Sequence, residues 1–127
     1  MSDPAQTVEL LDKAFNAGDV EGVLSFYEDH AVVVMEPGSL ARGKTELRAF
    51  FARVMGSPVS ARQIKTHVIE ADGVALFLSR WILVTRSSEG SALEQRFTAT
   101  SVFRKQADGE WKALIDNSLG PLVLGAD

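Results

Sequence analysis

The segment "VALFLSRWILVT", residues 74–85, limits the choice of fold more than any other part of the chain. Its apolar residues occupy both parities. Val74, Leu76, Leu78, Ile82 and Val84 fall on one, and Ala75, Phe77, Trp81 and Leu83 on the other. In a strand these two sets point to opposite faces, and a sheet with one wet face would alternate cleanly. Both faces of this strand therefore need cover. Asp72-Gly73 joins it to "ARQIKTHVIEA" (61–71), and that pair tolerates the positive φ of a two-residue hairpin turn. "SSEGS" (87–91) leads on to "LEQRFTATSVFRKQ", and Asp108-Gly109 to a last strand inside "EWKALIDNSLG" (110–120). Long strands joined by short turns predict an antiparallel meander.

The first half has a helical period instead. Asp3 can cap a helix with Pro4 at its first position, Val8, Leu11 and Phe15 follow at helical spacing, and Gly18 ends it. Asp19 can cap a second helix, with Val20, Val23, Leu24 and Tyr27 at i, i+3, i+4 and i+7. "AVVVM" (31–35) reads as a short strand closed by Pro37-Gly38. A third helix is expected from Gly43 to Met55, with Leu47, Phe50, Phe51 and Val54 as its apolar stripe. Three helices followed by strands in 127 residues predict one α+β domain over 1–127, the helices packed on one face of a curved sheet. With no helix left for the second face of strand 74–85, another subunit is expected to cover it. That makes a homodimer through the sheet.

Composition narrows the function. Without cysteine there is no disulfide framework, thiol catalysis or cysteine-ligated zinc. A formal charge of −4 and no Lys/Arg cluster leave nucleic acid an unexpected partner. The runs "AVVVM" and "WILV" fall far short of the ~20 residues that span a bilayer, and "MSDPAQTVELL" lacks the features of a signal peptide. A cytoplasmic protein with no membrane role is the expectation. His30 and His67 are the only histidines and have no second ligand at i+2 or i+4, so no metal site is expected. No P-loop, dinucleotide fingerprint or nucleophile elbow is present, and no cofactor is expected.

The order "FNAGDVEGVLSFYEDHAVVVMEPG", "ARGKTELRAFF", "ADGEWKALIDN" resembles the nuclear transport factor 2-like superfamily, with its ketosteroid isomerase-like and polyketide cyclase (SnoaL-like) members. The resemblance runs over nearly the whole chain. It implies a cone-shaped, cystatin-like roll in which helices and a bent, mainly antiparallel sheet enclose a blind, mostly apolar pocket. That cone serves isomerases, cyclases, hydrolases, dehydratases and binding modules alike. In the isomerase branch the base is a carboxylate before a proline, which implies Glu36 of "MEPG". The branch's oxyanion tyrosine would fall at Leu11 and its protonated aspartic acid at Ser101, so steroid isomerisation by that route is not expected. The same count turns Leu114, Asp116 and Ser118 toward the cone, and Ala113, Ile115 and Asn117 away.

The candidate residues follow. Asp116 is either a strand-end acid in water or a general acid/base in an apolar cone, where desolvation raises its pKa. Arg80, on the parity of Leu78 and Ile82, either snorkels to solvent or an interface, or pairs with Asp116 or an anionic ligand group. Glu36 is a loop acid or a second catalytic carboxylate. Trp81 and Tyr27 pack in the core or present ring and hydroxyl to a ligand. Ser101, Leu78, Leu114 and Ser118 complete the expected lining. The chain is expected to hold a small apolar or amphipathic molecule, as a cofactor-independent acid/base enzyme for isomerisation, cyclisation or hydration. The alternative is a non-catalytic dimeric module binding a ligand or protein. The tail "GPLVLGAD" (120–127) caps the cone or reaches over a partner subunit.

Overall fold

A computed structural model describes residues 3–125, and the end of the tail at 126 and 127 lies outside them. Helix α1 is Pro4–Asn16, α2 is Val20–Leu24 and α3 is Gly43–Val54. The strands are β1 Tyr27–Glu36, β2 Ser39–Arg42, β3 Val59–Ala71, β4 Val74–Arg86, β5 Ala92–Lys105 and β6 Trp111–Asp116, and a 3-10 turn, Gly120–Leu124, follows. The strands form one sheet in the order β2-β1-β6-β5-β4-β3, antiparallel except for the β1–β6 pair. This is the expected α+β architecture, three helices on a curved, mostly antiparallel sheet.

Local chemistry starts the elements where expected. The Asp3 side chain accepts a hydrogen bond from the Gln6 N–H at 2.8 Å, and Asp19 accepts one from Gly22 at 2.9 Å, so both helices have a side-chain N-cap. Asp72 and Gly73 take φ of 52° and 77°, the two positive values a tight hairpin requires. Two expectations are corrected. Tyr27 does not end α2, which stops at Leu24; it opens β1, whose Tyr27 sits opposite Ala113 of β6. Four residues after the Pro37-Gly38 turn also form a strand of their own, β2, paired with β1.

The core lies between the helices and the concave face of the sheet. Val8, Phe15, Leu24, Leu47 and Phe51 meet Tyr27, Val33, Phe77, Phe103, Trp111 and Ala113. Two polar attachments fix α1 across this face. The Thr7 hydroxyl donates to the Trp111 carbonyl at 3.2 Å. At the other end the Asn16 amide exchanges bonds with both backbone groups of Ala61, at 3.0 and 2.7 Å, as a paired strand would. The helix is therefore tied to β6 at one end and to edge strand β3 at the other, with Asp12 between the ties.

Strand phase decides which side chains enter the core. On β4 the inward set is Ala75, Phe77, Ser79, Trp81 and Leu83. The expected inward set of Leu78, Arg80 and Ile82 has the opposite parity; Arg80 is exposed and Leu78 half-buried there, while Ile82 is covered to 1% exposure without joining the core cluster. On β6 the phase changes within the strand. Val102 is opposite Ile115 and Phe103 opposite Ala113, so Leu114 is an extra residue, a β-bulge. Trp111 and Ala113 face inward before the bulge, Ile115 faces outward after it, and Asp116 turns inward again.

Candidate functional site

A cavity of about 330 Å³ remains between the helices and the concave sheet. Eight aromatic residues line it: Phe15, Tyr27, Phe50, Phe51, Phe77, Trp81, Phe97 and Phe103. Aliphatic residues from α1, α3, β1 and β4 fill most of the remaining wall, and no Lys, Arg or His is among the lining residues. Its polar side chains are Asp12, Tyr27, Gln63, Ser79, Ser101, Asp116 and Ser118.

Asp116 is held by two hydroxyls. Tyr27 donates to its Oδ2 at 2.5 Å and Ser101 to its Oδ1 at 3.1 Å. The Tyr27 ring is buried against Phe51, with centroids 5.4 Å apart. The Ser101 oxygen in turn accepts the Asn117 N–H at 3.1 Å, which ties the end of β6 to β5. Burial pushes the Asp116 carboxyl above its ordinary value, and the Tyr27 and Ser101 hydrogen bonds pull it partly back. Tyr27 is driven well above its ordinary value, first by burial and then by the carboxylate beside it, so it remains a donor.

Asp12 provides a second carboxyl. Its position on α1 is i+4 from Val8 and i−3 from Phe15, on the apolar stripe itself. The Gln63 amide donates to its Oδ2 at 2.9 Å. Burial raises its pKa to about 6, the Gln63 bond opposes the rise, and the charge of Asp116 adds to it. Two carboxyls thus share an apolar cavity, and burial is what chiefly holds the proton on Asp12. Reading the sequence for strand-end and loop acids passes over Asp12. An acid on a helix's apolar face was the available signal.

The other candidates divide. Tyr27, Ser101, Trp81 and Ser118 line the cavity with Asp116. Trp81 stacks on Phe97 with centroids 5.1 Å apart and donates its indole N–H to the Ser118 carbonyl at 2.9 Å. Leu114 does not line it, because the bulge it forms takes it out of phase. Leu78 and Arg80 lie on the outer face of β4. Arg80 is exposed, does not reach Asp116, and borders a separate shallow cleft with Arg96 and Leu122. Glu36 is exposed at the β1–β2 turn, where β1 carries an extra residue at Met35, and Met35 lines the cavity instead. Asn117 fastens the strand's exit: its amide donates to the Thr100 hydroxyl at 3.1 Å and to the Gly120 carbonyl at 3.2 Å. Among the described residues no three His, Asp or Glu side chains cluster in a way that could hold a metal ion. None of their helices is long and apolar enough to cross a membrane.

The SnoaL-like domain family matches residues 8–114. No curated protein matches the sequence. Solved structures do match. A candidate dehydratase of the nuclear transport factor 2-like family from Streptomyces avermitilis has a TM-score of 0.78 at 20% identity, over 88% of this chain and 89% of that one. A ketosteroid isomerase-like protein from Erwinia carotovora atroseptica has a TM-score of 0.72 at 22% identity, over 88% of each chain. A candidate scytalone dehydratase from Novosphingobium aromaticivorans has a TM-score of 0.79 at 13% identity, over 88% of this chain and 77% of that one. At these identities the likeness is one of fold.

Proposed function

We propose that this chain, which belongs to the SnoaL-like domain family, catalyses cofactor-independent proton transfer on a small, mostly apolar molecule bound in its cavity. One observation carries the reading: two carboxyls, Asp116 and Asp12, share an aromatic cavity and are unequal in their surroundings. Paired titratable groups pushed apart by environment are the usual source of an acid and a base in one site. Asp116, whose two oxygens accept hydrogen bonds from the Tyr27 and Ser101 hydroxyls, is assigned as the base. Asp12, which keeps its proton to about pH 6, is the acid. An acid near 6 suits transfer close to neutrality.

In this scheme the ligand's apolar body lies against Phe50, Phe77 and Trp81. Asp116 takes a proton from carbon or oxygen, and Asp12 delivers one to the oxygen on which charge develops. Isomerisation, cyclisation and elimination or hydration all fit that exchange. Titration of the two carboxyls by carbon NMR tests it. One should titrate near 6 and move when ligand binds; two carboxyls both titrating near 4 would sink the acid–base reading and leave a binding module. Native mass spectrometry of freshly purified protein identifies a retained molecule, and Asp116→Asn should keep that molecule bound while losing its conversion.

We also propose that the chain works as a homodimer through the outer face of the sheet. Ile69 is opposite Leu76, Leu76 opposite Val102, and Val102 opposite Ile115, so one apolar row crosses four strands. Ile69, Leu76 and Ile115 are 53%, 39% and 42% exposed. Sedimentation velocity at micromolar concentration should give a dimer, and Leu76→Lys a monomer. A monomeric wild-type protein would remove the proposal.

A further inference from the structure

Two buried polar atoms that belong to cavity residues have no hydrogen-bond partner: Oγ of Ser79 and Oε1 of Gln63. Ser79 is only 4% exposed. A buried hydroxyl without a partner is unfavourable, and among Phe77, Trp81 and Leu83 an alanine would fit this position better on stability alone. Gln63 gives one end of its amide to Asp12. Exchanging its oxygen and nitrogen leaves the other end unpartnered just the same, so the vacancy does not depend on which way the amide is placed.

Register relates these atoms to the reacting end of the site. Ser79 is opposite Ala99 on β5, which makes Ser101 its diagonal neighbour, about 7–8 Å away in ordinary sheet geometry. Gln63 is opposite Trp81, two residues along β4 from Ser79. The concave face thus presents one polar side chain on each of four adjacent strands: Asp116 on β6, Ser101 on β5, Ser79 on β4 and Gln63 on β3. The first two are joined to each other and to Tyr27. The second two are left open toward the cavity.

We infer that Ser79 and Gln63 form a second polar subsite, beside Asp12 and across the sheet from Asp116, which binds a neutral oxygen function of the ligand, a hydroxyl or a carbonyl. This rests on the proposed reading of the cavity and narrows its substrate class. The ligand carries two oxygen functions set apart on an apolar frame. An anionic group is disfavoured, because the lining offers it two carboxyls and no cation.

The test uses isothermal titration calorimetry of the full chain with naphthol, a naphthalenediol with hydroxyls on opposite rings, and naphthoate. Wild-type protein should bind the diol roughly three- to tenfold more tightly than naphthol, the worth of one neutral hydrogen bond, and naphthoate most weakly. Ser79→Ala and, independently, Gln63→Leu should keep the naphthol affinity and lose the diol's advantage. Ser79→Ala should unfold no more readily than wild type, which separates a ligand-binding hydroxyl from a structural one. Equal binding of diol and naphthol by wild type, or a diol advantage that survives both substitutions, overturns the subsite and leaves the acid–base pair standing. Failure of wild type to bind either naphthol or the diol overturns the cavity reading beneath it as well.

Discussion

Replacing Asp12 by Asn should stabilise the protein at neutral pH, by an amount that disappears in acid. The carboxyl titrates at about 6 in the folded chain against an ordinary value of 3.8. That gap of about 2 units corresponds to about 3 kcal/mol between the two protonation states. The sign follows from proton binding. The folded state holds the Asp12 proton more tightly than the unfolded state, so stability is full below pH ~4 and is lost as pH rises through ~6. Asn removes the titration and can still accept the Gln63 N–H, so the variant should not lose that increment. Urea unfolding followed by tryptophan fluorescence, from pH 4 to 8, measures the difference. Wild type and variant should nearly coincide at pH 4, and by pH 7.5 the variant should be more stable by up to about 3 kcal/mol, a midpoint shift of about 1–2 M. Asp116 is present in both proteins, so its own titration largely cancels. A difference that does not change with pH, or a variant less stable at pH 7.5, would refute the assignment of Asp12 as a buried, proton-holding acid.

Two further perturbations test the surroundings of Asp116. Tyr27→Phe removes the hydroxyl that holds Oδ2, so the Asp116 pKa should rise further in a carbon NMR titration, with a loss of about 1–3 kcal/mol in stability; an unchanged titration would show that the bond does not hold the carboxylate. Gly120→Ala should undock the tail, because a Cβ there would lie 2.2 Å from the Thr98 carbonyl oxygen at a φ of +57°. Hydrogen exchange should accelerate at Thr100, whose N–H is bonded to the Asn117 carbonyl at 2.9 Å, and unchanged protection there would contradict the close approach.

How far the sequence foretells this molecule depends on whether the signal is local. The caps at Asp3 and Asp19 and the Asp72-Gly73 turn are written within a few residues, and they occur where expected. Tyr27 is misplaced by the same kind of reading, since i+7 from Val20 fits a helix that in fact ends at Leu24. Facing is harder than type. Strand β4 is apolar on both parities, so hydrophobicity cannot choose its inner face, and Arg80 and Leu78 turn out on the other side. The bulge at Leu114 exists only in relation to β5, and nothing within "WKALID" announces it. Asp12 could have been found. It interrupts the stripe of Val8 and Phe15, and an acid there has to be explained.

The bulge in β6 has a consequence for comparing chains of this fold. Pairing Leu114 in register, with the bulge lost and the residue kept, would restore a regular pleat and carry Asp116 to the convex side without altering any residue. The site is thus addressed by strand register as much as by residue identity. Two relatives could keep the same aspartate in the same aligned column and differ entirely in whether a ligand ever meets it. Chains sharing this architecture are better sorted by whether the last strand skips a beat before its acid than by whether the acid is there.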